Sequence, residues 1–438
     1  MLWPVTTDRT STGHLAIGGV SLPALADEFG TPLYVYDAET IRQQCARYQS
    51  AFAERYPRTR VVYAGKAYLA TWLLEMIADA GLGLDVVSGG ELVLAARAGF
   101  PLDRVVFHGN NKTEDELRLA LSLGVGEIVI DNLYEVDLLE RLVSGSTAGV
   151  DVLIRVNPGI DAHTHDYRKT GIVDSKFGLL IGTGDAARAV ERVLRIPGLR
   201  LQGYHAHVGS QIFETEPFAA AVDVLFDFAA EMRSRFAYSP RQISPGGGYG
   251  IQYEQEDPDP HLDAYARAVG EAATRGAVRH GFDAPLLTVE PGRSIVGPAG
   301  VALYRVGAIK DIPGVRRYVC VDGGMADNIR PALYGARYEA ELANRASGSR
   351  AAVTIAGKYC ESGDVLIRDT VMSEPHSGDV LAVPATGAYC LAMSSNYNLA
   401  LRPPVLVLDR GDARLVQRRE RYEDLLARDV VPVRAPVE

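Results

Sequence analysis

Residues 60–110 read RVVYAGKAYLATWLLEMIADAGLGLDVVSGGELVLAARAGFPLDRVVFHGN, and this stretch decides the fold. Three short runs rich in β-branched residues, RVVYA (60–64), LDVV (84–87) and RVVFH (104–108), are separated by ATWLLEMIADAG and GELVLAARAGF, whose apolar residues recur at helical spacing. Strand-length runs alternating with helical segments are the pattern of parallel strands covered by crossover helices. Working outward, the alternation continues through EIVI (127–130), DVLIRV (151–156), LQGYHAHV (201–208), RQIS (241–244) and LLTV (286–289). Eight such units predict an α/β fold, a closed (β/α)8 TIM-like barrel, over residues 37–290.

Past Glu290 the texture changes to runs such as VALYRVGAI, RRYVCVDGG, AAVTIAGKY and PVLVLDR, broken by Gly and Pro. These predict a second, mainly β domain over 291–438. Residues 1–36 look like strand and turn and are expected to join it, and YEQEDPDPH (253–261) reads as a solvated loop.

Composition narrows the function. The 438 residues are 47% hydrophobic and 23% charged, which is ordinary globular composition and excludes a disordered chain. With 45 Lys+Arg against 55 Asp+Glu, the net charge of −10 argues against nucleic-acid binding, which needs clustered positive charge. No apolar run reaches the ~18 residues of a spanning helix, and the start lacks a secretory layout, so a cytoplasmic protein with no membrane partner is expected. Cys45, Cys320, Cys360 and Cys390 are too scattered for a disulfide framework, and most are expected to be buried and inert.

Barrel enzymes carry their chemistry at the C-terminal ends of the strands, so the residues following each run are the ones to inspect. They include Lys66, Ser88, His108, Asp131, Asn157, His207 with Ser210, the run Gly246-Gly247-Gly248-Tyr249-Gly250, and Glu290 with Gly292 and Arg293. A partly desolvated Lys66 would be an amine nucleophile rather than a snorkelling surface lysine. The glycine run offers backbone N–H groups to an anion such as a phosphate, although glycines as often make a tight βα turn. Glu290 could hold a proton on a heteroaromatic nitrogen, where a plain salt bridge is the blander reading. Amine, phosphate cradle and ring-nitrogen partner together specify pyridoxal phosphate.

The pairs His163/His165 and His205/His207 also allow a metal reading, for which only the strand-borne His205/His207 pair has suitable geometry. No third or fourth ligand is evident, so no metal is expected, and His207 is then free to stack on a cofactor ring. In the β domain, Cys360 has charged neighbours and a glycine turn, compatible with an accessible thiol that moves a proton. Arg330 and Tyr334, one helical turn apart, could grip a carboxylate, and Tyr389 lies in a glycine-marked corner.

The motifs YAGKAY, DVVSGGE, HVGSQ, GGGYG, EPGR, DGGMADNIRPALY, CESGD and GAYCLAMSSNYN occur in that order, together with VNPGIDAHTHDYRKTGIVDSKFG. On these the chain resembles the diaminopimelate decarboxylases of the fold-type III pyridoxal-phosphate group, from about residue 30 to residue 420. SKFG and RPALY are similar to that branch rather than to the ornithine branch. The resemblance implies a lyase converting meso-2,6-diaminopimelate to L-lysine and carbon dioxide, the last step of lysine biosynthesis.

Position by position, it implies that Lys66 carries the Schiff base and Glu290 keeps the pyridine nitrogen protonated. His207 would stack on the ring, with Ser210, Gly248, Gly250, Gly292, Arg293 and Tyr389 around the cofactor. Arg293, Arg330, Tyr334 and Tyr389 would hold the distal end of the substrate, Glu361 its distal amine, and Cys360 would donate the proton. It further implies a homodimer in which Cys360 and Glu361 reach the partner's site. Gly65 and Tyr68 depart from many members, which have a larger residue before the lysine and a smaller polar one after it. The alternatives are another pyridoxal-phosphate decarboxylase or racemase, a metal-dependent barrel hydrolase using His205 and His207, and a cofactor carrier without turnover.

Overall fold

The computed structural model describes residues 1–145, 149–160, 174–346 and 348–430. They form two compact units: Ile41–Gln252 and Glu256–Gly297 with Met1, and Leu2–Thr40 with Tyr253–Gln255 and the chain from Pro298 onward.

The first unit is the expected barrel. Its strands are β1 (Thr59–Ala64), β2 (Gly83–Val86), β3 (Val105–Phe107), β4 (Glu127–Ile130), β5 (Val150–Asn157), β6 (Leu199–His205), β7 (Gln242–Gly246) and β8 (Leu286–Val289). Every junction is parallel, and the ring closes where β8 pairs with β1, Leu287 opposite Thr59. Val62, Val106, Val129 and Leu153 pack together as a core cluster, because alternate side chains of parallel barrel strands point inward. The helices between strands begin where the sequence supplies caps. Thr113 and Glu116 exchange side-chain-to-backbone hydrogen bonds at the start of Glu114–Leu123, and Asn132 accepts from the Glu135 N–H at the start of Leu133–Val143.

One boundary differs from expectation. β6 ends at His205, so His207 lies beyond the strand and the two histidines are not a strand-borne i, i+2 pair.

The second unit is built on a nine-stranded mixed sheet. Its long central strand, Gly300–Ile312, pairs antiparallel with Leu33–Asp37, Val380–Val383 and Arg316–Val321. The N-terminal segment is not only strand and turn, for Leu22–Phe29 is a helix. Leu22, Leu25 and Ala26 are spaced i, i+3, i+4 and buried, and Pro23 in the first turn gives up no hydrogen bond there. Among the described residues, no helix is long and apolar enough to cross a membrane.

Candidate active site

Several of the polar residues after the strands have structural work. Ser88 accepts from the Glu91 N–H and caps the helix Gly89–Arg97. Both Asp131 oxygens accept from the Gly178 N–H at 2.9 and 2.8 Å, and Asn157 accepts from the Gly159 N–H at 2.9 Å. The remaining groups converge at the mouth ends of β1, β2, β3, β6, β7 and β8.

Lys66 sits in a short 3-10 turn, Gly65–Ala67, directly after β1. Its side chain is 41% exposed, yet Nζ lies 3.8 Å from the Asp85 carboxylate, whose side chain is only 1% exposed. The glycine before the lysine is required here, because a Cβ on Gly65 would stand 2.8 Å from the Asp85 carbonyl oxygen. Tyr68 is buried, and its carbonyl accepts the Tyr63 hydroxyl at 2.6 Å.

Asp85 had no role in the sequence reading. The available signal was a lone acid within an apolar strand, LDVV, which a barrel tolerates only where a cation or ligand faces it. Neither of its carboxylate oxygens has a hydrogen-bond partner among the described residues. Burial, opposed by Lys66 and reinforced by Glu290 and Glu91, pushes its carboxyl up to about 7. The folded chain thus retains a proton that the unfolded chain releases near 3.8, so stability drains away as pH rises between those values. Asp85→Asn is expected to remove that slope and to stabilise the cofactor-free protein at pH 8 by on the order of 1–4 kcal/mol. Urea midpoints measured from pH 4 to 8 check this, and parallel profiles for the two proteins would contradict it.

Glu290 follows β8 and is buried. Its Oε2 lies 3.0 Å from His205 Nε2, and its Oε1 accepts the Ser244 hydroxyl at 3.0 Å. Burial pushes this carboxyl up, but His205 and then His108 outweigh that and hold it well below the usual carboxylate range. Asp85 and Glu290 are therefore pulled in opposite directions within one mouth, the signature of two carboxylates with different tasks.

His207 is fixed by its backbone surroundings, with Nδ1 accepting from the Gly247 N–H at 3.3 Å. Burial, with Lys66 and Arg155 nearby, holds its imidazole well below the ordinary range, so it is a neutral ring. The glycine run is close-packed: a Cβ on Gly247 would lie 2.0 Å from the Glu290 carbonyl oxygen, and one on Gly248 the same distance from that of Gly209. Gly248 also has φ +115°, so only glycine suits the turn. Gly250 N–H donates to the Ile212 carbonyl at 2.9 Å, and Gly292 abuts Ala64. Arg293 is buried and donates from Nη2 to Ser210 Oγ at 2.9 Å, bringing together two residues expected around the cofactor.

The second unit carries the other candidates. Arg330 opens the short helix Arg330–Tyr334, is 2% exposed, hydrogen-bonds Tyr338 and lies 4.4 Å over the Tyr253 ring. Among the described residues no carboxylate forms an ion pair with it. Tyr253, expected in a solvated loop, is buried, since its ring gains more beneath a guanidinium than in water. Tyr334 is half-buried.

Cys360 and Glu361 are exposed in the turn joining strands Arg350–Ala356 and Val365–Ser373. Asp364 holds that turn by accepting from the Tyr359 N–H at 2.8 Å and the Met325 N–H at 2.7 Å. Tyr389 sits at φ +62°, a strained conformation for a bulky residue of the kind that concentrates at functional sites. Of the cysteines only Cys45 and Cys390 are buried, fewer than expected. His163 and His165 lie outside the described residues. His205 faces Glu290 and His108.

Residues 38–297 match the family described as "Pyridoxal-dependent decarboxylase, pyridoxal binding domain". The chain is 48% identical over 426 residues to the diaminopimelate decarboxylase of Bacillus subtilis, covering 97% of each. The chain belongs to the diaminopimelate decarboxylase family. It is also 42% identical to the enzyme of that name from Mycobacterium tuberculosis (strain H37Rv), over 98% of each chain. The crystal structure of the diaminopimelate decarboxylase from M. jannaschii with L-lysine superposes with a TM-score of 0.92 at 34% identity, covering 99% of each chain.

As a member of this family the chain is an enzyme whose cofactor is pyridoxal 5′-phosphate. The residues present fit that group. The barrel mouth offers a lysine amine beside a buried acid that accepts no hydrogen bond among the described residues, a buried carboxylate supported on both oxygens, and a glycine turn with no room for side chains.

Proposed function

We propose that this enzyme converts meso-2,6-diaminopimelate to L-lysine and carbon dioxide, the last step of lysine biosynthesis. The observation that carries the substrate reading is Arg330, a guanidinium buried on an aromatic floor with no carboxylate paired to it among the described residues. A buried cation without an anion is costly, and a substrate's distal carboxylate answers it.

When bound, the cofactor supplies the sink for the electron pair left on the α-carbon as carbon dioxide departs. Lys66 attaches it through the ε-amine. Glu290, ionised, accepts a hydrogen bond from the ring nitrogen and so keeps a proton there. His207, neutral and fixed by Gly247, offers its face to the ring. Ser210, Gly248, Gly250, Gly292 and Tyr389 receive the phosphate, with Arg293 steadying Ser210.

At the far end, Arg293, Arg330, Tyr334 and Tyr389 orient the distal carboxylate, and Glu361 takes the distal ammonium. Lysine and ornithine lack the distal carboxylate, so they leave these groups unpaired and react poorly. Cys360 gives its thiol proton to the α-carbon. Release of lysine and carbon dioxide from meso-diaminopimelate, measured beside lysine and ornithine as substrates, tests the assignment. Equal turnover of all three would overturn it.

The working assembly is a homodimer in the cytoplasm. An exposed turn bearing a thiol and a carboxylate, held in shape by Asp364, suits a segment that completes a neighbouring site. Mixing inactive Lys66→Ala and Cys360→Ala proteins under exchange conditions then restores one intact site in half the dimers, and about a quarter of wild-type activity is expected. A mixture no more active than its components would assign each site to a single chain.

A further inference from the structure

Glu290 has more imidazole around it than its own hydrogen bonding explains. His205, at the end of β6, is 1% exposed and spends Nε2 on the Glu290 carboxylate at 3.0 Å. Its other ring nitrogen, Nδ1, has no partner among the described residues. His108, following β3, stands edge-on to His205 with ring centroids 4.9 Å apart. Its Nε2 is 3.8 Å from Glu290 Oε1 and 3.9 Å from Asp85 Oδ1, and it too lacks a partner.

A buried polar nitrogen left unpaired costs about 1–3 kcal/mol, and an apolar residue at either position would avoid it. Both histidines flank the same carboxylate, which argues that they are kept for what they do to it. The other charged or titratable groups facing Glu290 are Lys66, Asp85, Arg155, His207 and the Tyr265 hydroxyl.

We propose that His205 is the positioning residue of Glu290, aiming its carboxylate at the cofactor's ring nitrogen, with His108 as a second support. The inference rests on the assignment of Glu290 to that nitrogen. Without the His205 donor, burial of Glu290 is opposed only by His108 and Lys66, and the carboxyl is pulled toward its neutral form. A neutral acid no longer keeps the ring nitrogen protonated, so the rate of the chemical step falls while substrate binding, carried by other residues, persists.

The test compares the holoenzymes of wild type, His205→Leu, His205→Gln and Glu290→Gln by kcat, KM and the visible absorbance of the bound cofactor. His205→Leu is expected to lower kcat by roughly 10- to 100-fold with KM little changed, and to move the absorbance toward that of Glu290→Gln. His205→Gln, which keeps a donor in reach, is expected to recover most of the lost rate and the wild-type spectrum. A Leu variant altered only in thermal midpoint, with kcat and spectrum intact, would overturn the proposal and leave His205 a packing residue. Should the Leu variant not fold, His205→Asn, whose amide is too short to reach, makes the same comparison with Gln, and equal kcat and spectra for the two would overturn it. A Glu290→Gln enzyme indistinguishable from wild type would instead remove the ring-nitrogen assignment beneath it.

Discussion

Lys66→Ala is expected to lose decarboxylation by at least about 10³-fold, because the amine that attaches the cofactor also holds it in register with the reacting groups. The loss should be chemical and not conformational. The Lys66 side chain is 41% exposed, so truncation removes little packing. It does strip Asp85 of its nearest cation, which pushes that buried acid still further toward its neutral form and avoids an unpaired charge. The thermal midpoint of the cofactor-free variant should therefore stay near wild type. Borohydride treatment followed by mass spectrometry should leave the cofactor's mass on the wild-type peptide containing Lys66 and on no peptide of the variant. A variant that still releases carbon dioxide at the wild-type rate would refute the attachment and the reading built on it.

Arg330→Met should produce the largest change in specificity. Methionine roughly fills the volume and keeps favourable contact with the Tyr253 and Tyr338 rings, so the second unit should remain folded. Replacing a buried, unpaired guanidinium with an apolar group is neutral to stabilising for the protein itself. The substrate meets the opposite situation, since its distal carboxylate would enter an apolar pocket without its cation. Losing one partner of a buried charge pair costs about 2–5 kcal/mol, so kcat/KM for meso-diaminopimelate should fall by about 30- to 4000-fold. The rate with lysine should change little, and the preference for the dicarboxylate should shrink accordingly. Initial rates with both substrates check this, and a variant with undiminished preference would remove Arg330 from substrate recognition.

The barrel was legible because its signal is local. A run such as EIVI, bounded by helical segments with caps at Thr113 and Asn132, reads correctly without knowledge of its neighbours. The helix Leu22–Phe29 was missed because eight residues beginning beside a proline carry barely two turns of periodicity. Tyr253 reads as solvated from sequence because the acids and prolines after it dominate the composition, whereas its ring lies beneath Arg330, 77 positions later in the chain.

The alternation of strand-length and helical runs determined the fold class and the residue types at each strand end, because hydrophobic period is a property of neighbouring residues, and the ordered motifs carried the resemblance to the family. Which of those strand ends face one another was decided only by closure of the ring. Closure sets β8 beside β1 and brings Glu290 onto His205 across 85 residues, and it also draws in Asp85 and His108. Burial and neighbouring charges then pulled two similar carboxylates apart, Asp85 toward its neutral form and Glu290 toward its ionised one. That split depends on the distances between charges in a medium of low polarity, a quantity no linear string of residues contains.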